Sequence, residues 1–196
     1  MRTVLKVAIA TVLVVAAIGA AGTIAFLKMT GMSARSTPAP VEAAIARRLR
    51  GWAVPSAYRS RANPVLRTKE SITNGMAHFA DHCASCHAND GSGDTEMGRG
   101  LFPRAPDMRA SATQSLSDGE LFYIIEEGVR FTGMPAWGTG TPAGEESTWH
   151  LVNFLRHLPS LTPEELEEMA AMNPRSPAEI RQDIEAERFL RGDDVH

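Results

Sequence analysis

Both cysteines of the 196-residue chain fall within five residues, in the string Cys83-Ala84-Ser85-Cys86-His87. Two thiols three positions apart on a helical turn point to the same side, so both can add to the vinyl groups of one porphyrin. The imidazole of His87 is then carried beneath the iron. This spacing predicts covalent attachment of one haem through Cys83 and Cys86, with His87 as an iron ligand.

Other roles for the Cys-x-x-Cys-His string fit the rest of the chain less well. A structural zinc site needs four ligands, and the chain has no further cysteine. A thioredoxin-like redox pair needs βαβ surroundings, whereas the flanking sequence has helical periodicity. A plain disulfide leaves His87 unexplained. We therefore interpret the string as a c-type haem attachment site, and the cysteine count limits the chain to one such haem.

The sixth iron position has a candidate in Met134, which lies 47 residues after His87 in the string Gly133-Met134-Pro135. Gly133 allows the backbone to approach a porphyrin closely, and Pro135 restricts the loop that carries the thioether. Methionine opposite histidine is an axial pair found in electron-transfer cytochromes. We predict that His87 and Met134 ligate the iron and that no substrate binds the metal.

Helical patterns surround these residues. Gly75 and Phe79 share a helical face that leads into the cysteines. Ser117 and Glu120 have the spacing of a capping box and begin a second helix, and residues 149–158 carry an apolar stripe at helical spacing. No segment alternates as a strand would. The sequence therefore predicts an all-α domain over residues 69–160, with the haem in its interior.

The N-terminal segment has 21 uncharged residues, from Val7 to Leu27. As a helix this run is about 30 Å long, which is the thickness of the hydrocarbon core of a bilayer. We predict a transmembrane anchor over residues 1–30. A cleaved signal peptide is the alternative, since Gly19-Ala20-Ala21 resembles a cleavage site, but the length of the run favours the anchor.

The net charge of −3 conceals an uneven distribution: +2 over residues 1–27, +7 over residues 28–70, −6 over residues 71–160 and −6 over residues 161–196. We predict a Pro/Arg-rich linker over residues 31–68 with one short helix at 41–49, and an acidic helical extension after residue 160. The basic linker is solvated, lies on anionic headgroups or packs against the acidic remainder of the chain. The extension is either a solvated appendage or a docking surface for a redox partner. The overall charge argues against nucleic-acid binding.

The order of these features resembles that of class I c-type cytochromes of the bacterial single-haem kind. The resemblance covers roughly Ser71 to Leu158 and implies a class I cytochrome c fold in which the helices bearing Phe79 and Phe154 cross. It also implies that a proline carbonyl after the motif accepts a hydrogen bond from the proximal imidazole. Pro103 and Pro106 are the candidates, and we favour Pro106.

These patterns predict a membrane-tethered monohaem cytochrome that carries single electrons between respiratory partners, rather than an enzyme. The resemblance implies a haem domain in the bacterial periplasm, an N-terminus in the cytoplasm and an anchor in the inner membrane, because bacteria attach haem to cysteines outside the cytoplasm. Two alternatives remain. One is a haem subunit of a larger oxidase or dehydrogenase complex, and the other is a peroxidase with an open sixth site, which requires that Met134 does not bind iron.

Overall fold

The computed structural model describes residues 2–31 and 33–191. Within these ranges the regular secondary structure is helical throughout, as the sequence predicts. Contacts divide the chain into two compact units, Met1–Thr37 and Pro38–His196.

The first unit contains α1, Arg2–Thr30, a single helix of 29 residues. Within Arg2–Met29, the most apolar stretch of 18 residues has a mean hydropathy of 2.4, and the apolar side chains of the helix are exposed. A helix of this length and composition is a candidate for a single-pass membrane anchor, although a signal sequence has the same properties.

The second unit contains the remaining helices. In chain order these are α2 (Pro40–Ala53), α3 (Ser56–Arg59), α4 (Lys69–His78), a π-helical turn (Phe79–Cys83), α5 (Ala84–His87), α6 (Glu96–Gly100), α7 (Ser111–Gln114), α8 (Asp118–Glu127), α9 (Pro142–His157), a 3-10 turn (Leu158–Ser160), α10 (Pro163–Met172) and α11 (Pro177–Arg191). Hydroxyl side chains cap several starts by accepting from a backbone N–H, as Ser117 does for α8. The helix predicted at residues 41–49 lies within α2.

The core forms where α4 crosses α9. A Cβ at Gly75 would collide with the carbonyl oxygen of His150 and would lie 2.8 Å from Cβ of Phe154, so only glycine allows this approach. One turn further, the rings of Phe79 and Phe154 pack with their centroids 5.1 Å apart. This is the helix crossing that the resemblance implies.

Residues 54–67, which we call the strap, pack on α8 and α9, although the sequence places them in the linker. The Tyr58 ring stacks on Phe122 at a centroid distance of 6.2 Å. The Arg61 guanidinium lies 4.6 Å from the Phe122 centroid and 5.2 Å from that of Trp149. A Cβ at Gly119 would collide with the Tyr58 carbonyl oxygen. The folded domain therefore begins before residue 69.

A buried polar network fixes the end of the strap. Asn153 of α9 is 4% exposed, and its amide nitrogen donates to Ser71 Oγ (2.6 Å) and to the Val65 carbonyl (3.2 Å). Asn63 donates to the Trp149 carbonyl (3.1 Å) and to Asn153 Oδ1 (3.0 Å). Each amide thus satisfies backbone or side-chain groups of the other segment, which joins the strap to α9.

The acidic extension divides into a packed helix and an exposed one. Met169 of α10 is fully buried in the core, and His157 Nε2 lies 2.8 Å from Glu165 Oε1 across the turn between α9 and α10. With its amide oriented to satisfy both of its polar atoms, Asn173 donates to the carbonyls of Met169 and Ala80, each at 3.1 Å. In contrast, the described side chains of α11 are exposed. The first part of the extension therefore belongs to the folded domain.

Candidate haem site

The π-helical turn and α5 position the Cys-x-x-Cys-His residues. Cys83 is the last residue of the π-helical turn, and Cys86 and His87 lie in α5. Burial and then the neighbouring Cys86 raise the pKa of the Cys83 thiol to about 12. Cys83 is partly buried against the core. It therefore has the character of a protonated thiol in apolar surroundings, unlike the low-pKa cysteine of a redox enzyme.

The segment after the motif folds closely over α5. The amide of Gly93 donates to the His87 carbonyl at 2.8 Å. Thr95 Oγ1 donates to the Cys86 carbonyl (3.2 Å) and accepts from the Gly98 amide (2.8 Å). A Cβ at Gly98 would collide with the same Cys86 carbonyl. The carbonyls at the end of α5 are therefore satisfied by this segment, which fixes the backbone of the motif.

The His87 imidazole has a free buried nitrogen. Among the described residues, its Nδ1 atom and Nε1 of Trp149 are the buried side-chain nitrogens without a partner in hydrogen-bond geometry. Burial lowers the pKa of His87, and the backbone carbonyl of Pro106, acting as an acceptor, partly opposes that effect. The Pro106 carbonyl is therefore an acceptor near the His87 ring, the kind of partner that a ligating histidine needs. Two neighbouring thiols and a partly buried histidine with a backbone acceptor beside it are the groups that would hold a haem.

An ionic clamp holds the loop that carries Pro106. Arg109 contacts Asp90 Oδ2 at 2.8 Å and Asp107 Oδ1 at 2.9 Å. The hydrogen bond from Arg109 is the main reason that the pKa of Asp107 is lowered. Burial raises the pKa of Asp90, but hydrogen bonds from Ser92 and the charge of Arg109 outweigh it and lower the pKa. Both aspartates therefore remain charged at neutral pH and fix the loop to the segment after His87.

Met134 lies half-buried in the loop between α8 and α9. Its carbonyl accepts from the Val129 amide (3.1 Å), and its own amide donates to Thr132 Oγ1 (3.1 Å). Thr132 Oγ1 in turn donates to the Val129 carbonyl at 2.7 Å. Further along, the Trp137 amide donates to the Ile125 carbonyl at 3.0 Å, which joins the loop to the end of α8. The backbone around the thioether is therefore fixed.

The Met134 loop contacts segments on both sides of the Cys-x-x-Cys-His motif. The Trp137 ring packs edge-on against His82, the residue before Cys83, with centroids 5.4 Å apart. On the other side, a Cβ at Gly133 would lie 2.5 Å from Leu101 Cδ2, just after α6. The fold thus brings together the three segments that carry the predicted site residues: the motif, the segment after it and the Met134 loop.

Two residues that support the site were not predicted from the sequence. Trp137 contacts His82, and Ser147 Oγ lies 2.8 Å from Nδ1 of His78, whose ring packs against His82 at 4.9 Å. A tryptophan three residues after Met134 was the available signal for the first contact. No group of three His, Cys, Asp or Glu side chains in the described part of the chain is arranged to hold a metal ion. A zinc site built from side chains alone is therefore unsupported.

A family model described as cytochrome c oxidase, cbb3-type, subunit III matches residues 70–155. The match includes the motif, the Pro106 loop, the Met134 loop and nearly all of α4 and α9. The strap and α10 lie outside it. Residues 70–155 of this chain therefore form a class I c-type cytochrome domain, which holds haem and transfers electrons.

Proposed function

We propose that this chain is a membrane-anchored carrier of single electrons with one covalently bound haem. In this proposal Cys83 and Cys86 form the thioethers, and His87 and Met134 are the axial ligands. The observation that supports it is the Met134 loop, which packs on His82 before the motif and on Leu101 after it. The bound haem supplies a reversible Fe(II)/Fe(III) couple.

The side chains around the site orient the two proposed ligands. An acceptor at Nδ1 fixes the tautomer of a ligating histidine, so the Pro106 carbonyl would leave Nε2 of His87 free for iron. Thr132 fixes the backbone that leads into Met134, because its hydroxyl donates to the Val129 carbonyl and accepts from the Met134 amide. Two ligands held by a fixed backbone would occupy both free positions of the iron and leave none for a substrate, which suits electron transfer.

The proposed anchor is α1, with its N-terminus in the cytoplasm and the cytochrome domain in the periplasm. The exposed apolar side chains of α1 support the anchor. The proposed orientation rests on the resemblance, which implies that haem is attached outside the cytoplasm. Anchoring raises the effective concentration of the domain near redox partners in the same membrane without a new contact. The identity of the electron donor and acceptor is left to experiment.

The axial ligand is tested by the weak long-wavelength absorption band that reports a bond between methionine sulfur and ferric iron. We expect the band in the wild-type protein, its loss in Met134→Ala, and its retention in Met97→Ala, which removes a methionine that is 57% exposed. A wild-type protein without the band, and with the same spectrum as Met134→Ala, would contradict the proposal and favour an open-site peroxidase.

The covalent attachment is tested separately by haem staining of the denatured protein on a gel. The wild-type chain should retain its haem under denaturing conditions, because thioether bonds survive unfolding. The double variant Cys83→Ala/Cys86→Ala should lose it completely, whereas Ser85→Ala between them should keep it. Retention of haem by the double variant would show that the cysteines are not the attachment points.

A second candidate function is a haem subunit of a larger oxidase complex, favoured by the description of the matching family as an oxidase subunit. Purification from the native membrane under mild detergent distinguishes the two. A free carrier migrates alone, whereas a subunit elutes with stoichiometric amounts of the other chains of the complex.

A further inference from the structure

The α2 helix exposes an apolar stripe. Val41, Ile45, Leu49 and Trp52 are spaced by four, four and three residues and therefore share one helical face. Their exposed fractions are 67%, 55%, 55% and 71%, and α2 has no buried residue. The stripe is thus a continuous apolar surface without a partner among the described residues.

The charges of α2 are almost all positive. Arg47, Arg48 and Arg50 lie beside or opposite the stripe, and the single acidic residue, Glu42, accepts from the Ala39 amide at 3.3 Å as part of the helix cap. An apolar face that includes tryptophan and a polar face rich in arginine are typical of helices that lie in the interface of an anionic membrane.

The place of α2 in the chain also favours a membrane. Nine residues separate the last residue of α1, Thr30, from the first residue of α2, Pro40. Even fully extended, they span only about 30 Å. If α1 crosses the bilayer, α2 therefore begins within about 30 Å of the end of α1 and can reach the membrane surface. The surface of a bacterial inner membrane contains anionic lipid, which matches the charge of the helix.

We propose that α2 lies in the interface of the membrane that α1 spans, with its apolar stripe at the acyl boundary and its arginines among anionic headgroups. This inference rests on the anchor in the proposed function. Its consequence follows from contacts within the second unit, because Arg59 of α3 donates to the Gly51 carbonyl near the end of α2. Tyr58 of α3 packs on Phe122. Binding of α2 would therefore orient the cytochrome domain toward the membrane rather than leave it on a free tether.

The test uses the full-length haem-loaded protein in proteoliposomes that contain brominated phosphatidylcholine, which quenches tryptophan at the acyl boundary. The signal of Trp52 is obtained by subtracting the emission of Trp52→Phe. We expect this signal to be quenched roughly twofold more strongly when phosphatidylglycerol is present than in neutral lipid. Arg47→Gln/Arg48→Gln should remove the difference, whereas Arg181→Gln/Arg188→Gln in α11 should preserve it.

A second variant pair tests the apolar stripe. Ile45→Glu/Leu49→Glu should abolish the quenching, because it places two carboxylates in the acyl boundary. Ile180→Glu/Ile184→Glu in α11 is the matched control, since these isoleucines are 46% and 45% exposed at the same spacing, and it should leave the quenching unchanged.

Two results would overturn the inference. One is a Trp52 signal that brominated lipid does not quench in protein that resists extraction from the membrane by carbonate. The other is a cross-linked dimer that Ile45→Glu/Leu49→Glu abolishes while the Trp52 quenching stays the same, which would identify a second copy as the partner of the stripe. Extraction of the wild-type protein by carbonate would instead contradict the anchor in the proposed function.

Discussion

The helices α10 and α11 begin with the same local chemistry but pack differently. Thr162 accepts from the Glu165 amide at 3.2 Å, and Ser176 accepts from the Glu179 amide at the same distance. A proline follows each cap. Yet α10 fully buries Met169, whereas α11 exposes its isoleucines.

This difference shows that the start of a helix and the packing of a helix have separate physical causes. A cap satisfies backbone amides within a few residues, so it determines where a helix begins and nothing more. Packing requires an apolar side chain and a complementary surface at the right distance, which Met169 finds beside the π-helical turn. The N-terminal flank shows the same division, because the strap packs on α8 and α9 while the adjacent α2 exposes its apolar face. Two flanking segments therefore contribute side chains to the core, and two expose their apolar faces.

The largest expected loss of stability comes from truncating Met169, the buried residue of α10. Met169→Ala should lower the free energy of unfolding by about 2–5 kcal/mol, because it removes buried methylene groups and leaves a cavity. Ile184→Ala in α11 should change it by less than about 0.5 kcal/mol. Guanidinium unfolding of the haem-loaded variants measures both. Equal effects would mean that the two helices contribute alike, contrary to this comparison.

A smaller loss of stability is expected when the hydrogen bonds between the strap and α9 are removed. Asn153→Ala should lower the free energy of unfolding by about 1–3 kcal/mol, because Ser71 and the strap carbonyls lose a buried donor. The strap should also become sensitive to limited proteolysis. Gln182→Ala, an exposed amide of α11, serves as the control and should change neither measurement. A strap that stays protected in Asn153→Ala would mean that the aromatic contacts alone hold it.

The two caps give a matched pair. Thr162→Ala should lower the free energy of unfolding by about 1 kcal/mol, because α10 unfolds together with the domain. Ser176→Ala should reduce the helical circular dichroism of the native protein without moving the unfolding midpoint. If Ser176→Ala shifts the midpoint as much as Thr162→Ala does, then α11 also folds cooperatively with the core.

The smallest expected effect is the pH-dependent contribution of Glu165 to the free energy of unfolding. Burial raises the pKa of Glu165, but hydrogen bonds from Thr162 and His157 outweigh it and hold the pKa below its ordinary value of 4.5. A carboxylate with a lowered folded-state pKa stabilises the protein above about pH 4.5, and this contribution is lost as pH falls through the folded-state pKa. Glu165→Gln should therefore cost at most about 1 kcal/mol at pH 7, with the difference from wild type disappearing toward pH 3.

The control for the pH experiment is Glu179→Gln in α11. The pKa of Glu179 is also lowered, chiefly by the hydrogen bond from Ser176, but the residue is fully exposed on a helix that does not pack. Unfolding measured from pH 3 to pH 7 should be the same for this variant and the wild type. A pH-independent difference between Glu165→Gln and wild type would show that the carboxylate charge is not what stabilises the turn.

The sequence alone determined the features that depend on short-range chemistry. The spacing of Cys83, Cys86 and His87 is a property of one helical turn, and the Gly-Met-Pro string identifies a candidate ligand loop without reference to the fold. The capping box of Ser117 and Glu120 located the start of α8 for the same reason. The all-α class and the class I cytochrome domain followed from these local signals, and the helical structure and the family match agree with both.

The tertiary structure decided which distant residues meet. The sequence favours Pro106 over Pro103 as the partner of His87, and the structure adds the clamp of Arg109 on Asp90 and Asp107, which no sequence pattern predicted and which fixes the loop that carries Pro106. The burial of Met169 and the folding of the strap onto α8 were equally inaccessible, since each depends on a surface formed by other parts of the chain. Such contacts join residues far apart in sequence, and no local pattern encodes the surface that each of them requires.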